Sequence, residues 1–176
     1  ILFAEGYETV EALLVVDLLR RGGVEVTMAS ITEDEFVRSS HGVNVEMDAV
    51  LGEVDVLDYD AVILPGGMPG TKYLGEYQPL CDLLRDFYGK SGKVAAICAA
   101  PTVLASLGFL EGRKATAYPS CMEGLTGAEP SYESVVVDGN VTTSRGLGTA
   151  VDFALSLIGQ LLGEEKADEI AESVVY

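Results

Sequence analysis

Short, continuous apolar runs predict the buried strands of this chain. Ala61–Leu64 runs directly into a Pro-Gly-Gly turn, and Lys93–Ile97 runs directly into Cys98. Apolar runs of this length that end in a turn are typical of central parallel strands, which are covered on both faces. Residues 1–4 predict a third such strand. Because that strand starts abruptly, we expect the natural protein to have a few residues before Ile1.

Segments with helical spacing of apolar residues alternate with these strands. The predicted helices cover residues 8–21, 77–88, 101–107, 149–162 and 164–172. Further strands are predicted at residues 24–29 and 115–117, and hairpins at residues 37–45 and 134–143. Alternation of this kind, without repeats or linkers, predicts one α/β domain over residues 1–176, with a mostly parallel sheet between helices. Ligands of such sheets bind beyond the carboxyl ends of the strands.

Composition excludes several classes of partner. The formal net charge is −17 over 176 residues. This charge argues against a nucleic-acid partner, since phosphate binding depends on clustered Lys and Arg, and it also disfavours anionic membranes. No apolar run is long enough to predict a membrane span, and no signal peptide is recognisable. The three cysteines, which are odd in number and lack disulfide spacing, favour a reducing, cytoplasmic setting.

The cysteines and the lone histidine argue against a disulfide framework or a metal site. Cys81, Cys98 and Cys121 are odd in number and have neither disulfide nor CxxC spacing. With His41 as the only histidine, a His-rich zinc site cannot form, so we expect no metal and no cofactor. Cys81 lies in an amphipathic helix and is interpreted as structural, whereas Cys121 follows a loop. His41 is interpreted as a surface turn residue.

Cys98 lies between a predicted buried strand and a predicted helix. Its neighbours in Ala95-Ala96-Ile97-Cys98-Ala99-Ala100-Pro101 are mostly small, which permits a sharp turn resembling a nucleophile elbow without the usual glycines. The positive end of the following helix is expected to favour the thiolate and lower the thiol pKa. Spacing alone leaves an alternative open, because unpaired cysteines are often small core residues.

Five segments resemble the ThiJ/PfpI superfamily, in the family's order and across essentially the whole chain. They are residues 4–10, 64–67, 95–101, 117–119 and 143–149. The branch they resemble most contains the Parkinson-linked protein deglycase and its bacterial relatives. The resemblance implies a flavodoxin-like three-layer α/β/α sandwich and a homodimer.

The resemblance also implies roles for individual residues. Cys98 would be the reactive group, and the family's acidic partner on the first helix maps onto Glu8. A buried, protonated glutamate can donate to a thiolate and move a proton during addition to a carbonyl. Gly67 and Ala99 would supply oxyanion-binding amides beside Gly66. If the resemblance is set aside, the residues alone indicate that Glu8 is at a helix N-terminus and that the glycines form a tight turn.

Departures from the family pattern reduce the number of activities that the resemblance allows. Tyr118 stands where many relatives carry a histidine, and it cannot act as a near-neutral base. Ala99 stands where the peptidase branch has histidine, and the C-terminal region lacks the histidine of glutamine amidotransferases. Both of those activities are therefore disfavoured. By resemblance Arg145 lies near the site, where it would orient a ligand or serve as a helix-entry or interface residue.

Together these features predict a cofactor-free cysteine enzyme of glyoxalase or deglycase type. Cys98 would add to a small α-oxoaldehyde, or to its early adducts, as a hemithioacetal, with Glu8 moving protons. An alternative of a different class is a redox-responsive chaperone or stress sensor, in which Cys98 is oxidised to the sulfinate.

Overall fold

The computed structural model describes residues 1–176. The strands are β1 Leu2–Phe3, β2 Ala29–Ser30, β3 Phe36–Arg38, β4 Asn44–Glu46, β5 Ala49–Val50, β6 Ala61–Leu64, β7 Lys93–Ile97, β8 Lys114–Ala115, β9 Glu129–Pro130, β10 Val135–Asp138 and β11 Val141–Ser144. The helices are α1 Thr9–Gly22, α2 Gly70–Glu76, α3 Gln78–Gly89, α4 Pro101–Ser106, α5 Ala150–Leu162 and α6 Glu164–Ser173. Short 3₁₀ turns lie at Leu51–Glu53, Val56–Asp58, Pro119–Gly124 and Leu147–Thr149.

The sheet is mostly parallel. One part has the order β1-β2-β5, with all strands parallel, and the other has the order β10-β11-β7-β6. Within the second part only β10 is antiparallel to its neighbour, because a tight hairpin joins it to β11. The strands β6, β7 and β11 therefore end at the same edge, and this edge carries Cys98.

Alternation along the central strands divides the core into two faces. In β7, Val94 and Ala96 belong to a cluster with residues of α3 and α4, whereas Ala95 and Ile97 belong to a cluster with residues of α1, α5 and α6. Successive side chains of a strand point to opposite faces, so helices cover both faces of the sheet. This arrangement confirms the predicted three-layer α/β/α architecture.

Helix α1 is positioned by its apolar face. Val15, Leu18 and Leu19 are buried against α5 and α6. The helix ends where Gly23 takes a left-handed conformation at φ 92° and its N–H donates to the carbonyls of Leu19 and Arg20, a C-terminal cap typical of glycine. The N-terminus of α1 consequently points to the edge of the sheet where β6 and β7 end.

Most predicted elements are present, but the short strands β5 and β9 were not predicted. Of the predicted strand 24–29, only Ala29 lies in a regular strand, which continues to Ser30 and pairs with the two residues of β1. The sequence analysis also missed α2, Gly70–Glu76. This helix is seven residues long and contains glycine at both its first and sixth positions, so its helical signal is weak. No helix of the structure combines the length and apolarity needed to cross a membrane.

Candidate active site

Cys98 occupies a strained turn at the carboxyl end of β7. Its φ is +65°, a left-handed value that is unusual for a residue other than glycine. The turn is held on both sides, since the N–H of Cys98 donates to the Ser144 carbonyl at 3.0 Å and the N–H of Ala100 donates to the Ile97 carbonyl at 3.1 Å. Pro101 then begins α4. The surrounding structure thus holds the thiol in an otherwise costly conformation, as in a nucleophile elbow.

Gly66 leaves the space that this turn and its acidic neighbour occupy. A Cβ at Gly66 would lie 2.6 Å from the Cβ of Cys98 and 3.0 Å from the Ile97 carbonyl oxygen, and would also collide with the Glu11 carboxyl. The φ of Gly66 is not positive, so the requirement for glycine is one of space rather than backbone conformation. Glycine at this position lets the turn that follows β6 approach the Cys98 elbow closely.

The carboxyl group beside the thiol belongs to Glu11. This residue lies in the first turn of α1 and is only 2% exposed. The polar neighbours of its carboxyl are the Cys98 thiol and the amides of Gly66 and Leu147. Its Oε2 is buried without a hydrogen-bond partner, which is unusual for a carboxyl oxygen in a folded protein.

Burial changes the acidity of both groups. It raises the pKa of Glu11 to about 7, with a smaller contribution from the negative charge of Glu8. Burial, followed by the charge of Glu11, raises the pKa of the Cys98 thiol to about 12. The sequence-based expectation of a lowered Cys98 pKa is therefore wrong for a thiol beside an ionised Glu11. Nearby amides lower the thiol pKa by less than burial raises it, and α4, with six residues, is too short to supply a strong dipole.

Glu8 has a different position from the one expected. It is the N-cap residue of α1, and its Oε2 accepts a hydrogen bond of 2.8 Å from the N–H of Glu11. The structure records no contact between the Glu8 carboxyl and Cys98. The acidic side chain next to the thiol is Glu11, three residues further along, and the assignment of this position to Glu8 is corrected accordingly.

The sequence did contain a signal for Glu11. In a helix, residues four, seven and eight positions apart share a face, and Val15, Leu18 and Leu19 stand at those distances from Glu11. An acid on the apolar stripe of a helix is unusual, since charged residues are seldom fully buried without a partner. Glu8 lies before the first helical residue and is not part of this stripe.

The amides of Ala99 and Gly67 lie near the sulfur of Cys98. Each lowers the pKa of the thiol to an extent smaller than the opposing effect of burial. Gly67 has φ +94°, and a Cβ there would collide with the backbone of Tyr7 and Glu8, so this turn requires glycine. Two convergent N–H groups form a pocket suited to an anionic sulfur or oxygen.

The loop after β11 closes another side of the site. A Cβ at Gly146 would lie 3.9 Å from Cys98 Sγ, 3.6 Å from Glu11 Oε1 and 3.3 Å from the Tyr118 ring. Neither Gly146 nor Leu147, whose amide lies beside Glu11, was predicted as a site residue, although the preceding residue Arg145 was expected near the site. The loop packs over the acid and the thiol.

Tyr118 and Arg145 lie at the margin of this arrangement. The Tyr118 N–H donates to the Cys98 carbonyl at 2.8 Å, and 49% of the residue is exposed. The Nη1 of Arg145 donates a hydrogen bond to the Tyr132 carbonyl at 3.4 Å, and the Nε of Arg145 is buried without a hydrogen-bond partner. Neither side chain forms a hydrogen bond with the thiol. The structure also shows no group of three or more His, Cys, Asp or Glu placed to hold a metal ion.

Comparison with known proteins places this geometry in a family. The profile of the DJ-1/PfpI family matches residues 1–160. The chain is 42% identical to Drosophila melanogaster protein dj-1beta over 178 residues, covering 99% of this chain and 95% of the relative. It is 34% identical to a Caenorhabditis elegans protein named glutathione-independent glyoxalase DJR-1.2, covering 94% of this chain and 89% of the relative. The structure of oxidized Toxoplasma gondii DJ-1 superimposes with a TM-score of 0.95 at 38% identity, covering 99% of this chain and 96% of that one. The chain belongs to the DJ-1/PfpI family.

Proposed function

We propose that this protein is a cofactor-free glyoxalase that converts small α-oxoaldehydes, or their early adducts, into hydroxy acids at Cys98. The observation that carries the proposal is the pairing of a strained, half-buried thiol with a buried carboxyl and two convergent amides. The glyoxalase name of the C. elegans relative supports the same chemistry.

Glu11 is the proton carrier of this proposal. A carboxylate with a pKa of about 7 is well matched to accept a proton near neutral pH. As the sulfur of Cys98 adds to the aldehyde carbon, the thiol proton passes to Glu11, so no free thiolate has to accumulate. The raised pKa of the resting thiol is compatible with this route, because proton removal and addition occur together.

The remaining steps balance without a redox partner. Addition forms the S–C bond and places negative charge on the former aldehyde oxygen, where the Gly67 and Ala99 amides stabilise it and Glu11 returns a proton. The ionised Glu11 then moves the hydrogen of the hemithioacetal carbon to the adjacent ketone carbon through an enediol. The product is a hydroxyacyl thioester, which water hydrolyses to the hydroxy acid and the free thiol. For methylglyoxal the sum is methylglyoxal plus water giving lactate.

The test is lactate production from methylglyoxal by wild type and three variants. Cys98→Ser should abolish turnover, and Glu11→Gln should lower kcat by about 10²-fold or more, the usual contribution of a general base. Glu8→Gln is the matched control, since it makes the same change three residues away, and it should stay within about threefold of wild type. Equal rates in all four proteins would disprove the proposal.

One observation favours a second function, that of an oxidation sensor. The two amides that face the sulfur, and a protonated Glu11, would also hydrogen-bond the oxygens of a Cys98 sulfinate. A structural relative is described as oxidized DJ-1. In this alternative the response to oxidation would be a change in stability or partner binding rather than turnover.

A further inference from the structure

A cleft of about 380 Å³ adjoins the elbow turn at Ala99 and is not used by the proposed chemistry. Its lining includes Met68 and Ala99, which directly follow the two residues Gly67 and Cys98 at the reacting centre. The rest of its wall comes from α2, α4 and the 3₁₀ turn that contains Cys121. A three-carbon aldehyde bound at Cys98 would leave most of this space empty.

The polar groups of the cleft are chiefly hydroxyls. Thr102 Oγ1 donates to the Ala99 carbonyl at 2.6 Å, and Ser106 Oγ donates to the Val103 carbonyl at 2.8 Å. Both hydroxyl protons are therefore used in hydrogen bonds to the backbone, whereas each hydroxyl oxygen can still accept a hydrogen bond from a ligand. Thr71 is only 5% exposed, and its Oγ1 has no hydrogen-bond partner, which is unusual for a buried hydroxyl.

The charges of the cleft favour a neutral occupant. Lys72 and Glu76 both line it and form an i,i+4 pair at 3.9 Å, so their charges largely offset one another. An anionic ligand would also face the net charge of −17. Because the available side-chain groups are mostly acceptors, a ligand must supply several O–H donors, while its carbon chain packs against Met68 and Val103.

We propose that this cleft is a subsite for the polyhydroxylated tail of a longer, sugar-derived 2-oxoaldehyde whose carbonyl reacts at Cys98. The inference rests on the proposed function, which it refines by naming the substrate class. Thr71, Thr102 and Ser106, which line the cleft, would hydrogen-bond the hydroxyls of the tail. The enzyme would therefore favour six-carbon over three-carbon oxoaldehydes.

Gly75 offers a way to fill the cleft without touching the reacting centre. It lines the cleft, its φ is not positive, and a Cβ there would lie 3.5 Å from a methyl of Val103, an ordinary contact. Gly75→Leu should therefore occupy the subsite, whereas Gly75→Ala should leave most of it free. Gly89→Leu makes the same substitution in α3, where a Cβ meets nothing within 4 Å, and it is the matched control.

The experiment measures kcat/KM for 3-deoxyglucosone, a six-carbon 2-oxoaldehyde with three hydroxyl groups, and for methylglyoxal. The ratio of the two values should fall at least tenfold in Gly75→Leu and about fivefold in Thr71→Val, which removes the hydroxyl while keeping the shape. The ratio should stay within about twofold of wild type in Gly75→Ala and Gly89→Leu. An unchanged ratio in Gly75→Leu or in Thr71→Val would overturn the subsite.

A second measurement keeps the subsite separate from catalysis. If wild type turns over neither aldehyde, the proposed function fails, and the subsite is then decided by binding. Amide NMR signals of Thr71 and Ser106 in Cys98→Ser should shift on addition of 3-deoxyglucosone, and the shifts should be lost in Cys98→Ser/Gly75→Leu. Absence of shifts in Cys98→Ser would overturn the subsite on its own.

Discussion

The buried carboxyl of Glu11 in the first turn of α1 faces the sulfur of Cys98 at the end of β7, although 86 residues of sequence separate the two. Helix α1 is held in place by its packing on α5 and α6, and β7 by its pairing with β6 and β11. The rigid scaffold on both sides fixes the relative position of acid and thiol, which is what proton transfer between them requires.

The raised pKa of Glu11 predicts a pH-dependent contribution to stability. Its folded pKa of about 7 lies above the ordinary value of 4.5, so the folded protein binds the extra proton. The contribution is fully present below pH 4.5 and is lost as the pH rises through 7, by up to ~3 kcal/mol. The free energy of unfolding of Glu11→Gln, relative to wild type, should therefore be higher at pH 8 than at pH 5. Urea unfolding at both pH values checks this, with Glu8→Gln as the control; a pH-independent difference between Glu11→Gln and wild type would contradict it.

The left-handed conformation of Cys98 predicts an inverted order of stability for two small substitutions. Alanine is usually more stabilising than glycine, because glycine has more conformational freedom in the unfolded chain. At φ +65°, however, a Cβ is strained by about 1 kcal/mol or more, and glycine is not. Cys98→Gly should thus be at least as stable as Cys98→Ala in urea unfolding. A clear advantage for alanine would show that the turn is not strained in solution.

The close approach of Gly66 to the elbow predicts that a single methyl group will disrupt the site. In Gly66→Ala the new Cβ would overlap Cys98 and Glu11, so we expect destabilisation of about 1–3 kcal/mol and a loss of methylglyoxal turnover of at least about tenfold. Gly89→Ala is the control, since its Cβ would meet open space. Thermal unfolding and the lactate assay together check this prediction. If Gly66→Ala had the stability and turnover of wild type, the close packing of Gly66 on Cys98 and Glu11 would be refuted.

The three thiols differ in their surroundings, and this predicts selective oxidation. Cys81 is buried, and burial raises its pKa, whereas Cys98 is half-buried with two amides that can stabilise its oxidised forms. Mild peroxide should therefore add two oxygens at Cys98 and leave Cys81 unmodified. Intact-mass analysis followed by peptide mapping of wild type and Cys98→Ser checks this. Resistance of Cys98 to oxidation would remove the sensor alternative, and the mapping also shows whether Cys121 reacts.

The amino-acid sequence by itself determined the order and kind of most elements. Ala61–Leu64 and Lys93–Ile97 were predicted with their observed bounds, because a continuous apolar run ending in Pro-Gly-Gly or in a small-residue turn has few other interpretations. The small residues around Cys98, from Ala95 to Ala100, also predicted the position of the elbow, because larger side chains would not permit so sharp a turn between strand and helix. These features depend on neighbours in sequence, and local physical chemistry is sufficient for them.

Tertiary structure decided that the acid on the apolar stripe of α1 meets the thiol, and it decided how acidic both groups are. Glu8 and Glu11 stand at the start of the same helix, and the rotation of that helix, set by its packing on α5 and α6, turns Glu11 inward and leaves Glu8 as a cap. The pKa of Cys98 also depends on the tertiary structure. The dipole of the neighbouring helix predicts a lowered pKa, whereas burial and the charge of Glu11 raise it. Desolvation and charge proximity arise only where distant segments meet, so the sequence could name the reactive residue but not its environment.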